Sequence, residues 1–356
     1  MEKKGASSMP EVMSKALGLD EEGTMTEAQQ ETLKKFRKRF PKNPEGLGQM
    51  LHGYLYFKYI NLYVYYAKQR LNKLKYKDSP EKRDLPFPKG KYSNVLKDLI
   101  SGAVEFMLPN TNSHETSQYH GKVLTYNDAQ KMLSLKIDID LPNLPKTIIP
   151  YDNARKLVIE NPDHLTLIDC PCRAAQGPTG CYPRDVCMII GEPWASFVLE
   201  HSADSNPRRI TQEEGLQILK AEHERGHVHQ VFFKDAAAGM VYSICNCCEC
   251  CCTALAAHNY AHAPMVSTSG SICQIDYDKC QSCGTCVSTC PFHAVSIIDD
   301  KTVVEFEKCF GCGACESQCP HGAISLKLEP KKGEPLDMEA ILEKYGNKES
   351  ASNASN

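Results

Sequence analysis

The longest apolar stretch of the chain is 47–67, LGQMLHGYLYFKYINLYVYYA, which carries Tyr54, Tyr56, Tyr59, Tyr63, Tyr65 and Tyr66 among its aliphatic residues. Its length predicts a helix, although the aromatic content would also suit strands. Lys58 and Asn61 interrupt it, so it should not span a bilayer, which takes roughly 20 consecutive apolar residues. Upstream, Thr24 and Thr26 are N-cap residues for a helix beginning near Thr26. Downstream, 127–135 reads as a short helix, Pro142, Pro145 and Pro150 punctuate the next segment, and 151–160 is again helix-like. Residues 165–168 form a short apolar strand that leads straight into Cys170. Thr211 caps a helix over 212–224 whose apolar face is Leu216, Ile218 and Leu219, and Gly226 can end it. Residues 228–233, a turn through 235–239, and 240–244 then read as a β-hairpin.

Composition adds little until charge and cysteine are placed along the chain. With 356 residues, 42% hydrophobic and 24% charged at a net −3, two or three units are expected. A disordered chain, a collagen-like fibre and a globally basic nucleic-acid binder are excluded. The charge is uneven: 31–92 holds sixteen Lys and Arg against five Asp and Glu, a local +11 that leaves −14 for the rest. The Tyr-rich stretch within it is read as a core element with hydroxyls reaching the surface. Its basic flanks would also suit peripheral contact of 47–67 with anionic lipid, or docking of an acidic partner. No base-reading motif is present, so nucleic acid is not expected as a partner. Residues 78–91 are Pro- and charge-rich and read as a linker, and 348–356 as a polar tail.

All 19 cysteines fall between Cys170 and Cys319. Residues 1–20 show neither an apolar core nor a small-residue cleavage site, so no secretory signal is read and the expected location is cytoplasmic. Neighbouring thiols such as Cys247-Cys248 and Cys250-Cys251-Cys252 rarely reach disulfide geometry with each other, and the count is odd. Thiolates ligating metal in a reducing compartment are the better reading. Residues 280–291, CQSCGTCVSTCP, and 309–320, CFGCGACESQCP, are both Cys-x2-Cys-x2-Cys-x3-Cys-Pro. They belong to an internal repeat of offset 29 that pairs Lys279 with Lys308, Gly284 with Gly313, Ala294 with Ala323, and Ser296 with Ser325. A [4Fe–4S] cube needs one thiolate per iron; a tight loop with ligands every third residue wraps three corners, and the fourth ligand must come from elsewhere.

Over 272–328 the sequence resembles the bacterial two-cluster ferredoxins, matching all eight ligand positions and both prolines. The resemblance implies that each fourth cysteine crosses over. One cluster would be held by Cys280, Cys283, Cys286 and Cys319, the other by Cys309, Cys312, Cys315 and Cys290. A pair of zinc sites would normally separate its cysteine pairs more widely. The division expected is a flexible leader (1–30), a basic Tyr-rich helical region (31–92), a helical and irregular connection (93–165), a Cys-rich α+β domain (166–268), the two-cluster ferredoxin-type domain (269–330), and a short helix with a disordered tail (331–356). The fold class is α+β throughout.

Eleven cysteines remain. Cys170, Cys172, Cys181 and Cys187, spread over a Gly- and Pro-rich loop, are the expected ligands of a third centre, [4Fe–4S] or zinc; Arg173 and Arg184 could offset its negative charge. Cys245, Cys247, Cys248, Cys250, Cys251 and Cys252 cannot all ligate one cube, and a site mixing the two groups competes with the first choice. Cys273 has no assignment. His223, His227 and His229, and the pair His258 and His262, are read as surface or core residues. The order of a CPCR segment, ICNCCECCC and a two-cluster module looks like multi-cluster iron–sulfur proteins of anaerobic bacteria and archaea. Neither a Gly-rich dinucleotide loop nor a phosphate-binding loop is visible. The expectation is therefore an electron-transfer iron–sulfur protein, more a carrier or oxidoreductase subunit than an enzyme. It would relay single electrons through two [4Fe–4S] clusters and a third to or from a larger oxidoreductase complex. The alternatives are a redox enzyme subunit or activase whose 170–252 unit carries the chemistry, and a metal or redox sensor.

Overall fold

The structure is a computed structural model and describes residues 25–75, 85–87, 94–107, 119–151 and 155–345. Residues 1–24 of the leader expected over 1–30, most of the linker expected over 78–91, and the polar tail from 348 lie outside the described residues; 27–30 already belong to a helix.

Helices open the chain. Helix α1 (Glu27–Arg37) starts at a capping box: the Gln29 amide donates to Thr26 Oγ1 (3.2 Å) and the Thr26 amide to Gln29 Oε1 (3.1 Å). It is followed by α2 (Pro44–Lys58), α3 (Ile60–Lys75) and α4 (Asn94–Met107). The single helix expected over 47–67 is thus two, broken at Tyr59, whose φ of −123° and ψ of 43° leave the helical region. Its tyrosines are largely core residues: Tyr54, Tyr56, Tyr63 and Tyr65 are all buried. Among the described residues, no helix is long and apolar enough to cross a membrane.

The middle of the chain builds one sheet from β1 (Tyr119–Leu124), β2 (Ile139–Leu141), β3 (Leu157–Asp169), β4 (Asp185–Glu192), β5 (Arg208–Ile210), β6 (Val228–Lys234), β7 (Met240–Cys247) and β8 (Val266–Ser267). Its order is β2-β3-β4-β7-β6-β1-β8, with β5 also on β3, and all pairs are antiparallel except β1 with β8. Strands are thus drawn from both sides of residue 165. The connecting helices are α5 (Tyr126–Leu133), α6 (Pro171–Ala175), α7 (Trp194–His201), α8 (Gln212–Glu224) and α9 (Thr253–Ala261). The helix-like reading of 151–160 is corrected: Leu157 to Glu160 open β3, where Ile159 pairs with Ile139 and Glu160 with Glu192. Strand pairing overrides the local preference, and a bulge between Glu160 and Leu165, with Asn161 at φ 48°, absorbs the polar residues. The hairpin of β6 and β7 and the Thr211-capped α8 form as expected.

Because side chains alternate across a strand, the sheet buries both faces. Ile168, Val186, Cys187, Ile189, Phe232 and Tyr242 face the N-terminal helices and α7. Leu165, Leu167, Met188, Ile190, Val231 and Ile244 face a second core. Cysteines of β4 and β7 belong to the first of these layers, beneath α3.

The C-terminal module pairs β9 (Ser271–Ile275) with β12 (Ile324–Leu328) and β10 (Val295–Ile298) with β11 (Lys301–Val304), around α10 (Thr285–Thr289) and α11 (Ala314–Ser317). The 29-residue repeat persists in the backbone. Ser282 and Gly311 (φ 46° and 61°), Gly284 and Gly313 (82° and 78°), and His293 and Gly322 (51° and 58°) adopt matching left-handed conformations. Lys279–Asp276 (3.0 Å) and Lys308–Glu305 (2.8 Å) are matching ion pairs. A last helix, α12 (Met338–Tyr345), returns to α5, where Lys131 meets Asp337 at 3.0 Å.

Candidate metal centres

Each half of the C-terminal module presents three cysteines from a loop and the first turn of a short helix. Cys280, Cys283, Cys286 and Cys319 line one cavity of about 10 Å3 together with Thr302 and Pro320. Cys290, Cys309 and Cys315 are the thiols that act electrostatically on Cys312. Main-chain amides are aimed at sulfur in both halves: Ala294 N–H at Cys290 Sγ and Ala323 N–H at Cys319 Sγ, each 3.3 Å. That is the donor set a [4Fe–4S] cluster takes: thiolate sulfur, four per site, with amide hydrogen bonds to the sulfurs. Burial separates the two sets. Cys283 is exposed and Cys280 and Cys319 are partly so, whereas Cys290, Cys309, Cys312 and Cys315 are all buried. Cys273 falls beside the inner set, with its amide 3.4 Å from Cys309 Sγ and its Sγ 3.7 Å from Cys315 Sγ. The sequence left Cys273 unassigned, and the repeat gives the signal that was missed: 29 residues on stands Thr302, whose hydroxyl lies 3.4 Å from Cys280 Sγ in the other half.

The remaining ten thiols form two groups. The first is a ring. Thiol contacts run from Cys245 through Cys187, Cys170, Cys172 and Cys252 to Cys247, which lies two residues from Cys245 on β7 and within its electrostatic reach. The sheet register sets this ring, since Cys187 and Cys245 are direct partners across β4 and β7. Cys170 lies between β3 and α6 as the N-cap of that helix, Cys172 sits in α6 behind Pro171, and Cys252 precedes α9. All six line a cavity of about 50 Å3, roofed by Tyr56, Ile60 and Val64. Cys172 is held well below the ordinary thiol range because the Cys170 and Cys252 thiols donate to it, with Lys68 and the Thr253 hydroxyl assisting. Thr253 N–H, in the first turn of α9, points at the same sulfur (3.4 Å). Cys170 and Cys252 are correspondingly pushed up.

The second group is compact. The Sγ atoms of Cys181, Cys248, Cys250 and Cys251 all lie within 4.8 Å of one another. Cys181–Cys250 is 3.0 Å and Cys250–Cys251 3.7 Å. Three of the four come from one turn, closed by the amides of Cys251 and Cys252 on Cys248 O (3.3 and 2.9 Å). The expected quartet of Cys170, Cys172, Cys181 and Cys187 is therefore divided: three of its members enter the ring and Cys181 joins the compact group.

Lys68, from α3, stands between the groups: its ammonium donates to Cys172 O (3.1 Å) and to Cys251 O. Arg173 is wholly buried and paired with Glu222 at 2.6 Å, and donates also to Asn246 O at 3.2 Å. Burial alone would lower its pKa, but Cys248 and Glu222 outweigh it and the guanidinium stays charged. The histidines find structural partners: His227 meets Glu222 (2.7 Å), His229 meets Asn246 (2.7 Å), and His223 stacks on Tyr126. His258 on α9 meets the C-terminal module, packing edge-on against Phe310 at 4.8 Å.

A family model described as a 4Fe-4S dicluster domain matches residues 279–324. That stretch contains all eight cysteines of the duplicated motif, and the chain accordingly carries an iron–sulfur dicluster domain at its C-terminal end, preceded by a second cysteine-rich region. No curated protein matches the chain, and no solved structure does.

Proposed function

We propose that the chain is a cytoplasmic electron carrier that serves a larger oxidoreductase through two [4Fe–4S] clusters and a third centre in the six-thiol ring. Cys280, Cys283, Cys286 and Cys319 would hold the outer cluster, Cys309, Cys312, Cys315 and Cys290 the inner one. When bound, each supplies a one-electron couple. The third would draw its ligands from Cys170, Cys172 and Cys187 together with Cys245, Cys247 and Cys252.

The observation that carries this reading is helix α9. It begins at the ring, directly after Cys252, and six residues later its His258 packs on Phe310, next to Cys309. At 1.5 Å per residue that is a span of about 9 Å. Asn259 Nδ2 also donates to Pro291 O (2.8 Å), beside Cys290. The ring and the inner set are thus joined by one helix, while the outer set opens to solvent at Cys283, which offers a place for a partner to dock.

The protein purified without oxygen should hold more than eight irons, and reductive titration followed by EPR should resolve the signals of two interacting clusters and a third. Cys172→Ser should remove about four irons and leave the two-cluster signal intact. A full iron complement in that variant would remove Cys172 from the ligand set, and eight irons with no third EPR signal in the wild type would sink the third centre. Absence of any reducible signal in the wild type would sink the relay.

One observation favours chemistry at the ring itself. The hydroxyls of Tyr56 and Tyr242 share a 2.7 Å hydrogen bond at the cavity wall, and burial keeps Tyr56 far above the ordinary phenol range, as a proton donor. Tyr242→Phe should leave electron transfer to an artificial acceptor unchanged if the ring only relays.

A further inference from the structure

We propose that Cys181, Cys248, Cys250 and Cys251 bind a single divalent d-block ion, zinc or ferrous iron, as a closed tetrathiolate site separate from every cluster. The inference stands on the geometry of these four residues and does not rest on the electron-carrier reading.

A metal–sulfur bond of about 2.3 Å in tetrahedral geometry places the four sulfurs at mutual distances of about 3.8 Å. The four Sγ atoms already lie within 4.8 Å of one another. Among the described residues, no other set of His, Cys, Asp or Glu donors is gathered so tightly. A cube puts each thiolate on a different iron and so spreads the sulfurs wider than one ion does. The soft, all-sulfur tetrahedral donor set selects zinc or iron over the hard cations. Four protein ligands leave no open position, the mark of a structural ion.

The surroundings prepare this arrangement before any ion arrives. Gly180 packs so closely that a Cβ there would stand 2.3 Å from Arg173 O, which fixes the approach of Cys181. The Cys181 amide donates to Cys251 Sγ (3.4 Å), and Gln176 Nε2 donates to Cys250 O (2.9 Å). Four thiolates on a dication leave a net −2, and Lys68 bears on Cys251 from the buried side. The ion would pin the 176–183 loop to the 248–252 turn. Cys248 and Cys251 also line the six-thiol cavity, so the same ion would fix one of its walls.

The test uses the full chain, purified without oxygen, with zinc, iron and acid-labile sulfide counted per polypeptide. Cys250→Ser and Cys181→Ser should each lose one zinc or one iron and no sulfide. Which element falls identifies the ion. Loss of several irons together with sulfide would overturn the proposal in favour of a cluster. Unchanged metal content in both variants would overturn it outright. Cys250 is exposed, and its serine variant is expected to fold; retention of the dicluster EPR signal checks this.

Discussion

Arg173 and Glu222 are both inaccessible to solvent, and their 2.6 Å contact lies among the thiol-bearing elements. Such a pair is weak evidence of stability as a whole, and its two members are not equivalent: Glu222 also meets Arg225 (2.8 Å) and His227 (2.7 Å), whereas losing Glu222 strands the buried Arg173 charge at a cost of about 3–5 kcal/mol. Glu222→Leu should therefore lower the melting temperature sharply, and Glu222→Leu with Arg173→Met should recover most of the loss. A double variant no more stable than the single one would show that the pair is not what holds Arg173 in place. The sequence marks Arg173 as a counter-charge for a metal centre. The structure gives it a nearer partner that only folding could reveal, since Glu222 lies 49 positions away. The eight cysteines of the duplicated motif were legible because their spacing is local, and even Cys273 follows from the repeat once Thr302 is seen opposite Cys280. The regrouping of Cys181 was not legible. Its partners arrive through a turn some 70 residues on, and spacing alone cannot tell which thiols of two loops will meet.

One histidine joins helix α1 to α7. The Nε2 atom of His201, at the end of α7, lies 3.0 Å from the Thr32 hydroxyl and 3.2 Å from Gln29 O, both on α1. Burial, and then the nearby Lys58, lower its pKa to about 4. The unfolded imidazole titrates near 6.5. Between these values the unfolded chain binds more protons than the folded one, so stability falls as pH drops from about 6.5 toward 4. The sole tryptophan reports on this contact, because Trp194 packs edge-on against Phe36 of α1 at 5.6 Å and stacks on Phe57 of α2 at 5.3 Å. Its emission should shift to longer wavelength over that window, and His201→Phe should flatten the response. An unchanged acid transition in the variant would place the titrating group elsewhere. Elements with strong end signals were readable from sequence, as with the Thr26 capping box and Thr211 on α8. The break at Tyr59 carries no proline or glycine to announce it. The chain turns there so that α2 packs on α7 and the 235–237 turn while α3 packs on α6 and α9, a tertiary demand that no local pattern records.

Across the molecule, the least legible feature is the sheet. Its order, β2-β3-β4-β7-β6-β1-β8, depends on pairings between distant segments, such as Gly121 with Phe232. The α+β class was readable and the seam between regions was not, because β3 is a single strand running through residue 165. The two halves of the C-terminal module share one backbone yet differ in cover: Cys283 is exposed, while Cys312 is buried. Small oxidants attack thiolate sulfur in proportion to its access. Peroxide or dioxygen should therefore damage this protein from the outside inward. In timed exposure to peroxide followed by peptide mass spectrometry, sulfonic acid should accumulate at Cys283 and Cys280 well before Cys309 and Cys312; the reverse order would contradict the gradient. The unequal cover thus makes the outer half expendable: early oxidative loss falls on the site nearest solvent, and the thiols closest to the six-membered ring are the last to be spent.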